Sequence, residues 1–164
     1  MYRAPLVPAD FEVPSTLEAD DFRLQQLAYD VMLQDYEAVM RGAENLRVAF
    51  GQKSFDREAY TLQQEVIELG WHMGEWERRK SFAYANMKLD GSTCYGSVYV
   101  HPTLKRDYDA HVIIWVIPES PEGFDEKVYQ TVQSWLTDWP FERVGYPGRE
   151  ISWEDWRALP EPKG

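Results

Sequence analysis

The sequence predicts an α+β domain of three layers, a mixed but mostly antiparallel central sheet with helices on both faces, and three features carry that reading. Two long segments with apolar residues at three- and four-residue spacing precede a pair of β-rich runs joined by Asp90-Gly91. A nearly continuous apolar run, "HVIIWVI", then leads into a third segment of helical period. Consecutive strands flanked by helices on either side in the chain bury their apolar faces best as a sheet covered by those helices. A chain of 164 residues buries roughly two-thirds of the surface its unfolded form exposes. An aromatic content of 15% supplies large side chains for that core, so disorder is not expected. Residues 1–164 are read as a single domain, with 1–14 an N-terminal extension and 150–164 a Trp-rich tail.

Phe22 and Leu24 alternate with Arg23 and Gln25, which predicts a first short strand. From Leu27 to Phe50 the apolar positions Val31, Met32, Tyr36, Val39, Ala43 and Leu46 mark one buried helical face. Gly42 is placed to break or bend that helix, and Gly51 follows its end. A second helix is predicted from near Tyr60, closing on Arg78, Arg79 and Lys80, cations that complement the carboxyl end of the helix dipole. "SFAYANMKL" and "TCYGSVYV" flank "DGS", the strongest short-range hairpin signal. "AHVIIWVI" has the unbroken apolar character of a central strand. Phe124, Val128, Val132, Trp135 or Leu136, and Trp139 form the third helical stripe, with Ser120 as its predicted N-cap and Pro121 in its first turn. "PFERVGYPG" predicts one more short strand before the tail.

A formal net charge of -11 repels a nucleic-acid backbone, which makes nucleic acid a poor partner and favours a cationic one. The single cysteine, Cys94, rules out an internal disulfide framework and suits a reducing compartment; at its strand position it reads as a buried small hydrophobe. Neither a signal peptide nor a membrane span is predicted, so a cytoplasmic location is the expectation.

"TLEADDFRLQQL", "FAYANMKLDGSTCYGSVYV" with its Gly96, and "AHVIIWVIPES" with Trp115-Val116 followed by Pro118-Glu119 together resemble the GNAT superfamily of N-acetyltransferases, especially its ribosomal-protein N-terminal acetyltransferases. The resemblance implies a GNAT-like acyl-CoA N-acyltransferase fold with acetyl-CoA splayed between the fourth and fifth strands. It places the pantetheine on the backbone of Ile114, Trp115 and Val116, and the pyrophosphate on the amides around Ser120, Gly123 and Phe124, at a helix N-terminus. The activity it implies is N-acetyl transfer to a primary amine, on a small molecule or a protein N-terminus, with strand amides near Ile114 and Val116 holding the acyl carbonyl. The family's turn reads Gln or Arg, two residues, Gly, one residue, Gly or Ala. In "SPEGFDE" only Gly123 matches, and Glu119, Glu122, Asp125 and Glu126 crowd the turn. A carboxylate about 4 Å from a phosphate opposes it by roughly 1 kcal/mol in water-like surroundings and about 4 at a protein-surface dielectric. The alternative reading is therefore a non-catalytic binding module of this fold that has lost acetyl-CoA.

His111, near the start of the fourth strand, stands where the resemblance often places a base, and an imidazole can take a proton from an ammonium. A hydrogen-bonded strand residue fits the same position. Tyr129 is the candidate acid toward a departing thiolate, with Tyr95 and Tyr99 as alternatives. His72, Glu75 and Arg79 share a helix face with Glu68 and, with Tyr99, fall on the substrate side of the implied layout. The same spacing also makes a surface salt-bridge ladder, with Trp71 and Trp76 packed opposite. Without an HxxxH or HExxH pair, no metal is predicted. Trp153 and Trp156 either cover the sheet or offer a contact to a second copy, which makes a homodimer a candidate assembly.

Overall fold

In the computed structural model, which describes residues 4–162, a short hairpin of Thr16–Glu18 (β1) and Phe22–Gln26 (β2) opens the sheet. Met32–Ala49 (α1) and Leu62–Glu77 (α2) follow, then Phe82–Lys88 (β3), Cys94–Pro102 (β4) and Ala110–Val116 (β5). Phe124–Leu136 (α3), Val144–Gly145 (β6) and Trp153–Ala158 (α4) complete the order. The six strands lie side by side in sequence order. Each neighbouring pair is antiparallel except β5 and β6, which run parallel.

Because side chains alternate across a strand, β3 sends Phe82 and Tyr84 to one face and Ala83 and Ala85 to the other. The first face packs on Val128, Val132 and Leu136 of α3. The second carries Tyr99, Ile113 and Trp115 and packs on Ala38 and Val39 of α1 and Leu69 of α2. Three layers result, as the periodicities predict. Gly42 leaves helical geometry at φ -106° and ψ 18°, so α1 bends there. A Cβ on Gly42 would lie 2.9 Å from Trp115 Cζ3, so the missing side chain lets the helix settle on the indole.

The expected hairpin is present, with Gly91 at φ +76° and Asp90 Oδ1 accepting from the Ser92 amide at 2.9 Å. Its register slips between Asn86 and Met87, which leaves Tyr95 as the extra residue of a bulge. Gly96 follows at φ +145°, and the bulge turns the Tyr95 carbonyl toward the Ile117 amide, which donates to it at 2.8 Å.

Five expectations are corrected. The hairpin β1–β2 replaces a single first strand, and α1 starts at Met32 because the Leu27 amide still donates to the Ala83 carbonyl, extending the ladder of β2. Ser120 is not the cap of α3: its amide closes one turn onto Ile117 and Phe124's closes a second onto Pro121, so Gly123, at φ +73°, is the N-cap. The ladder on α2 does not form. Glu75 pairs with Arg78 at 3.5 Å, while Arg79, at φ +59°, donates to the carbonyls of Pro8 and Phe11. Trp71 is 51% exposed rather than packed, whereas Trp76 meets Phe82 and Tyr84 edge-on.

The described part of the N-terminal extension joins the core through Val7. In the tail, Trp156 is buried against Gly145, where a Cβ would come within 2.4 Å of the indole. Trp156 thus covers the sheet beside β6. Among the described residues no helix is long and apolar enough to cross a membrane.

Candidate functional site

β5 and β6 are paired at only two positions, Ala110 with Val144 and His111 with Gly145. Beyond them the strands part, and the gap opens on a cleft of about 580 Å³ bordered by Ile114, Trp115, Val116, Asn45, Arg149, Trp153 and Arg157. This is the place where the sequence resemblance puts a pantetheine arm. Both carbonyls on that edge are already bonded. The Arg149 guanidinium donates to Ile114 O at 3.0 Å and grips both oxygens of Asp125 at 2.7 and 2.8 Å, a bidentate pair of the strong, charge-assisted kind. Asn45 Nδ2 donates to Val116 O at 2.9 Å. Tyr129 lies with its ring 5.2 Å from the same guanidinium, and burial raises its pKa. Arg157 is engaged as well, donating to Gly51 O at 2.7 Å.

Phe124 is buried against Phe22 and Tyr95, which pins the start of α3 to the sheet. Gly123 is exposed, and a Cβ there would meet nothing within 4 Å; its left-handed φ alone calls for glycine. Ser120 is half-buried, while Glu119 and Glu122 stand exposed beside it.

A second cavity, of about 530 Å³, lies between α1, α2 and β4, bordered by Phe50, Phe55, Tyr60, Trp71, His72 and Tyr99, with Asp35 and Glu65 among its lining groups. Asp35 and Glu65 are 4% and 0% exposed. The Tyr60 hydroxyl donates to Glu65 Oε2. Burial first, then a hydrogen bond and repulsion from Glu65, hold the Asp35 pKa well above the usual carboxylate range. Trp115 Nε1 donates to the Tyr99 hydroxyl at 3.2 Å, and these two side chains form the wall between the cavities.

All three histidines fall in one aromatic row. His72 stacks on Tyr99 at 5.4 Å, Tyr99 on His101 at 5.6 Å, His101 meets His111 at 5.6 Å, and Trp156 covers His111 at 5.7 Å. Burial lowers both His72 and His111 to about 4, so both rings are neutral at pH 7. His111 borders neither cavity. Of the residues expected on the substrate side, His72 and Tyr99 meet at the second cavity, while Glu75 and Arg79 sit at the far end of α2 with Arg78 and the N-terminal segment. Cys94 is buried, and that burial pushes its thiol up, away from nucleophilic use.

Four side chains that line these cavities escape the sequence reading: Asp35, Glu65, Asn45 and Arg149. The acids left one signal. Asp35 interrupts the apolar stripe Val31, Ala38, Val39, and Glu65 interrupts Leu62, Leu69, positions where a charge has to be either paired or neutralised.

No protein-family profile matches the chain, and no curated protein matches it in sequence. Solved structures do match. The ribosomal-protein-S5-alanine acetyltransferase from Vibrio fischeri superposes with a TM-score of 0.58 at 10% identity, over 74% of this chain and 66% of that one. The microcin C7 self-immunity acetyltransferase MccE, solved in complex with acetyl-CoA and AMP, gives 0.57 at 13% identity, over 77% and 68%. RimL, a ribosomal L7/L12 alpha-N-protein acetyltransferase in its apo form, gives 0.57 at 9% identity, over 80% and 70%. The chain has the fold of the GNAT acetyltransferases.

Proposed function

We propose, from the premise of a GNAT acetyltransferase fold, that this chain is a small-molecule-binding module that uses the α1–α2 cavity and has given up the cofactor half of the fold. The observation that carries the reading is the Arg149 clamp between Ile114 O and Asp125. A pantetheine would need the strand edge that Arg149 and Asn45 occupy, and its pyrophosphate would face Glu119 and Glu122. The residues present therefore do not fit acetyl-CoA. His111 supports the same reading, because an imidazole held near 4 is a weak proton acceptor at neutral pH.

A second reading is the acetyl-CoA-dependent N-acetyltransferase acting on a primary amine. It is favoured by the parted strands and by the two guanidinium groups of Arg149 and Arg157 in a 580 Å³ cleft, cations that phosphates would find attractive once the Arg149 clamp let go.

Thermal unfolding with millimolar acetyl-CoA separates the two. The expected result is an unchanged midpoint. A ligand at about a hundred times its dissociation constant adds roughly 2.7 kcal/mol, which for a domain of this size raises the midpoint by about 5 to 10 °C; a rise of that size would overturn the cofactor-free reading in favour of the enzyme.

A further inference from the structure

α2 is apolar on two sides. One side packs on the sheet, with Leu69 buried and Trp76 meeting Phe82 and Tyr84 edge-on. With about 3.6 residues per turn, the opposite side of the same helix carries Gln63, Val66, Ile67, Gly70 and Trp71. Val66, Ile67 and Trp71 are 40%, 56% and 51% exposed, and Leu62, where the helix starts, is 46% exposed. None of these positions is charged, although 27% of the chain is, so this side is not a solvated stripe. A helix that faces water turns polar residues outward, whereas one that is apolar on both sides is covered on both. Charges begin at the borders, with Glu68 on one flank and Glu77 and the Glu75–Arg78 pair at the far end.

The patch extends beyond the helix. A Cβ on Gly70 would lie 2.8 Å from the Tyr29 hydroxyl, so the Tyr29 ring, 48% exposed, lies beside Gly70 and widens the face. Tyr29, Leu62, Val66, Ile67 and Trp71, each about half exposed, leave on the order of 400–500 Å² of apolar surface, within the range where such patches mark an interaction site.

Charge limits what fits there. The chain is acidic as a whole, at -11, and two copies repel wherever charged surfaces meet; along the charge-free side of α2 that repulsion is least. A basic partner would be recognised by acids, and the middle of this face sets none against an incoming cation, which would be desolvated unpaired. Area points the same way. Pairing the face with itself about a two-fold axis removes both patches, on the order of 1,000 Å², the lower bound for a specific interface. The Trp-rich tail, the contact that the sequence suggests, is already used within the chain. Trp156 is buried, and Trp153 packs so closely on Gly51 that a Cβ there would come within 2.8 Å of the indole.

We propose that the outer face of α2, with Tyr29 at its edge, is the contact through which two copies of this chain associate, α2 against α2, in an isologous dimer. The dimer stands whichever reading of the cofactor cleft holds. It bears on the α1–α2 cavity, because Trp71 lines that cavity and meets His72 edge-on at 5.2 Å, so the second copy fixes the ring at the cavity's rim.

Sedimentation equilibrium of the full chain between about 1 and 200 μM is expected to show monomer and dimer in exchange, with a dissociation constant in the micromolar range that suits an interface of this size. Because the borders of the face are acidic, raising sodium chloride from about 0.05 to 0.5 M should tighten the dimer about three- to tenfold. Ile67→Glu should weaken it at least about tenfold, since a two-fold contact buries the unpaired carboxylate twice. Ile67 is exposed, so the variant is expected to melt as the wild type does; Ile67→Ser, which removes the apolar side chain without adding charge, is the second variant should it not. Val48→Glu, at a comparably exposed position on α1 that borders the other cleft, should leave the equilibrium unchanged. A monomer throughout the concentration range overturns the assignment and leaves the face to a partner of another kind. So does a dimer that salt weakens, one that Ile67→Glu leaves intact, or one that Val48→Glu disrupts equally.

Discussion

Gly96→Ala is expected to destabilise the protein by at least about 4 kcal/mol, a loss in the exceptional range for a single methyl group. Two independent effects act at this position. The φ of +145° belongs to a region that residues with a side chain reach only at a cost of about 1–3 kcal/mol. In addition, a Cβ there would lie 2.0 Å from the Trp115 carbonyl oxygen, a backbone atom of the next strand that cannot rotate away. The bulge would have to flatten, moving β4 against β5 where β5 leaves β6. Urea unfolding followed by tryptophan fluorescence measures the loss; a drop below about 1 kcal/mol would mean that the bulge is not rigid.

Acidification gives the second large effect, and its sign follows from the histidine row. His72 and His111 titrate near 4 in the folded protein against 6.5 for a free imidazole. Between those values the unfolded chain binds more protons, so stability falls as the pH drops from about 6.5 toward 4. Each ring accounts for up to about 3 kcal/mol of that loss. Asp35 works in the opposite direction: its folded pKa is raised, so its contribution is present at low pH and is lost as the pH rises through that pKa. The measurement is the unfolding free energy between pH 4.5 and 7.5. The double variant His72→Gln with His111→Gln should flatten the acid limb, and Asp35→Asn should steepen it. If the double variant loses stability on acidification as steeply as the wild type, the histidines are not its cause.

Much of the architecture was legible along the chain. The β3–β4 hairpin followed from Asp90-Gly91 between two β-rich runs, and the three main helices from apolar spacing, because both signals are local and survive without knowledge of neighbours. The bend at Gly42 was foreseen as a break or a bend, whereas its cause, the Trp115 ring lying against it, was not. The cap of α3 was misplaced for a similar reason: "SPEG" has the residues of a Ser-capped helix start, and only the consecutive turns onto Ile117 and Pro121 push the cap to Gly123. Of the site, the sequence marked the strand edge at Ile114 and Val116 and the acids of the turn. It gave no sign that Arg149 returns to that edge, because Ile114, Asp125 and Arg149 are separated by 35 and 24 positions and no short-range pattern links them.

By itself the amino-acid order determined the class of fold, the succession of its main helices and strands, the acidic character of the α3 turn and the net negative charge of the chain. These depend on periodicity, turn chemistry and net charge, which are properties of neighbours in the chain or of its sum. Only the tertiary structure decided which charges matter. Glu122 is an exposed carboxylate beside a helix start, whereas Glu65, of the same chemistry, is wholly buried against Asp35. The energy of a charge is set by the dielectric around it and by the partner facing it, and both are supplied by packing between distant segments.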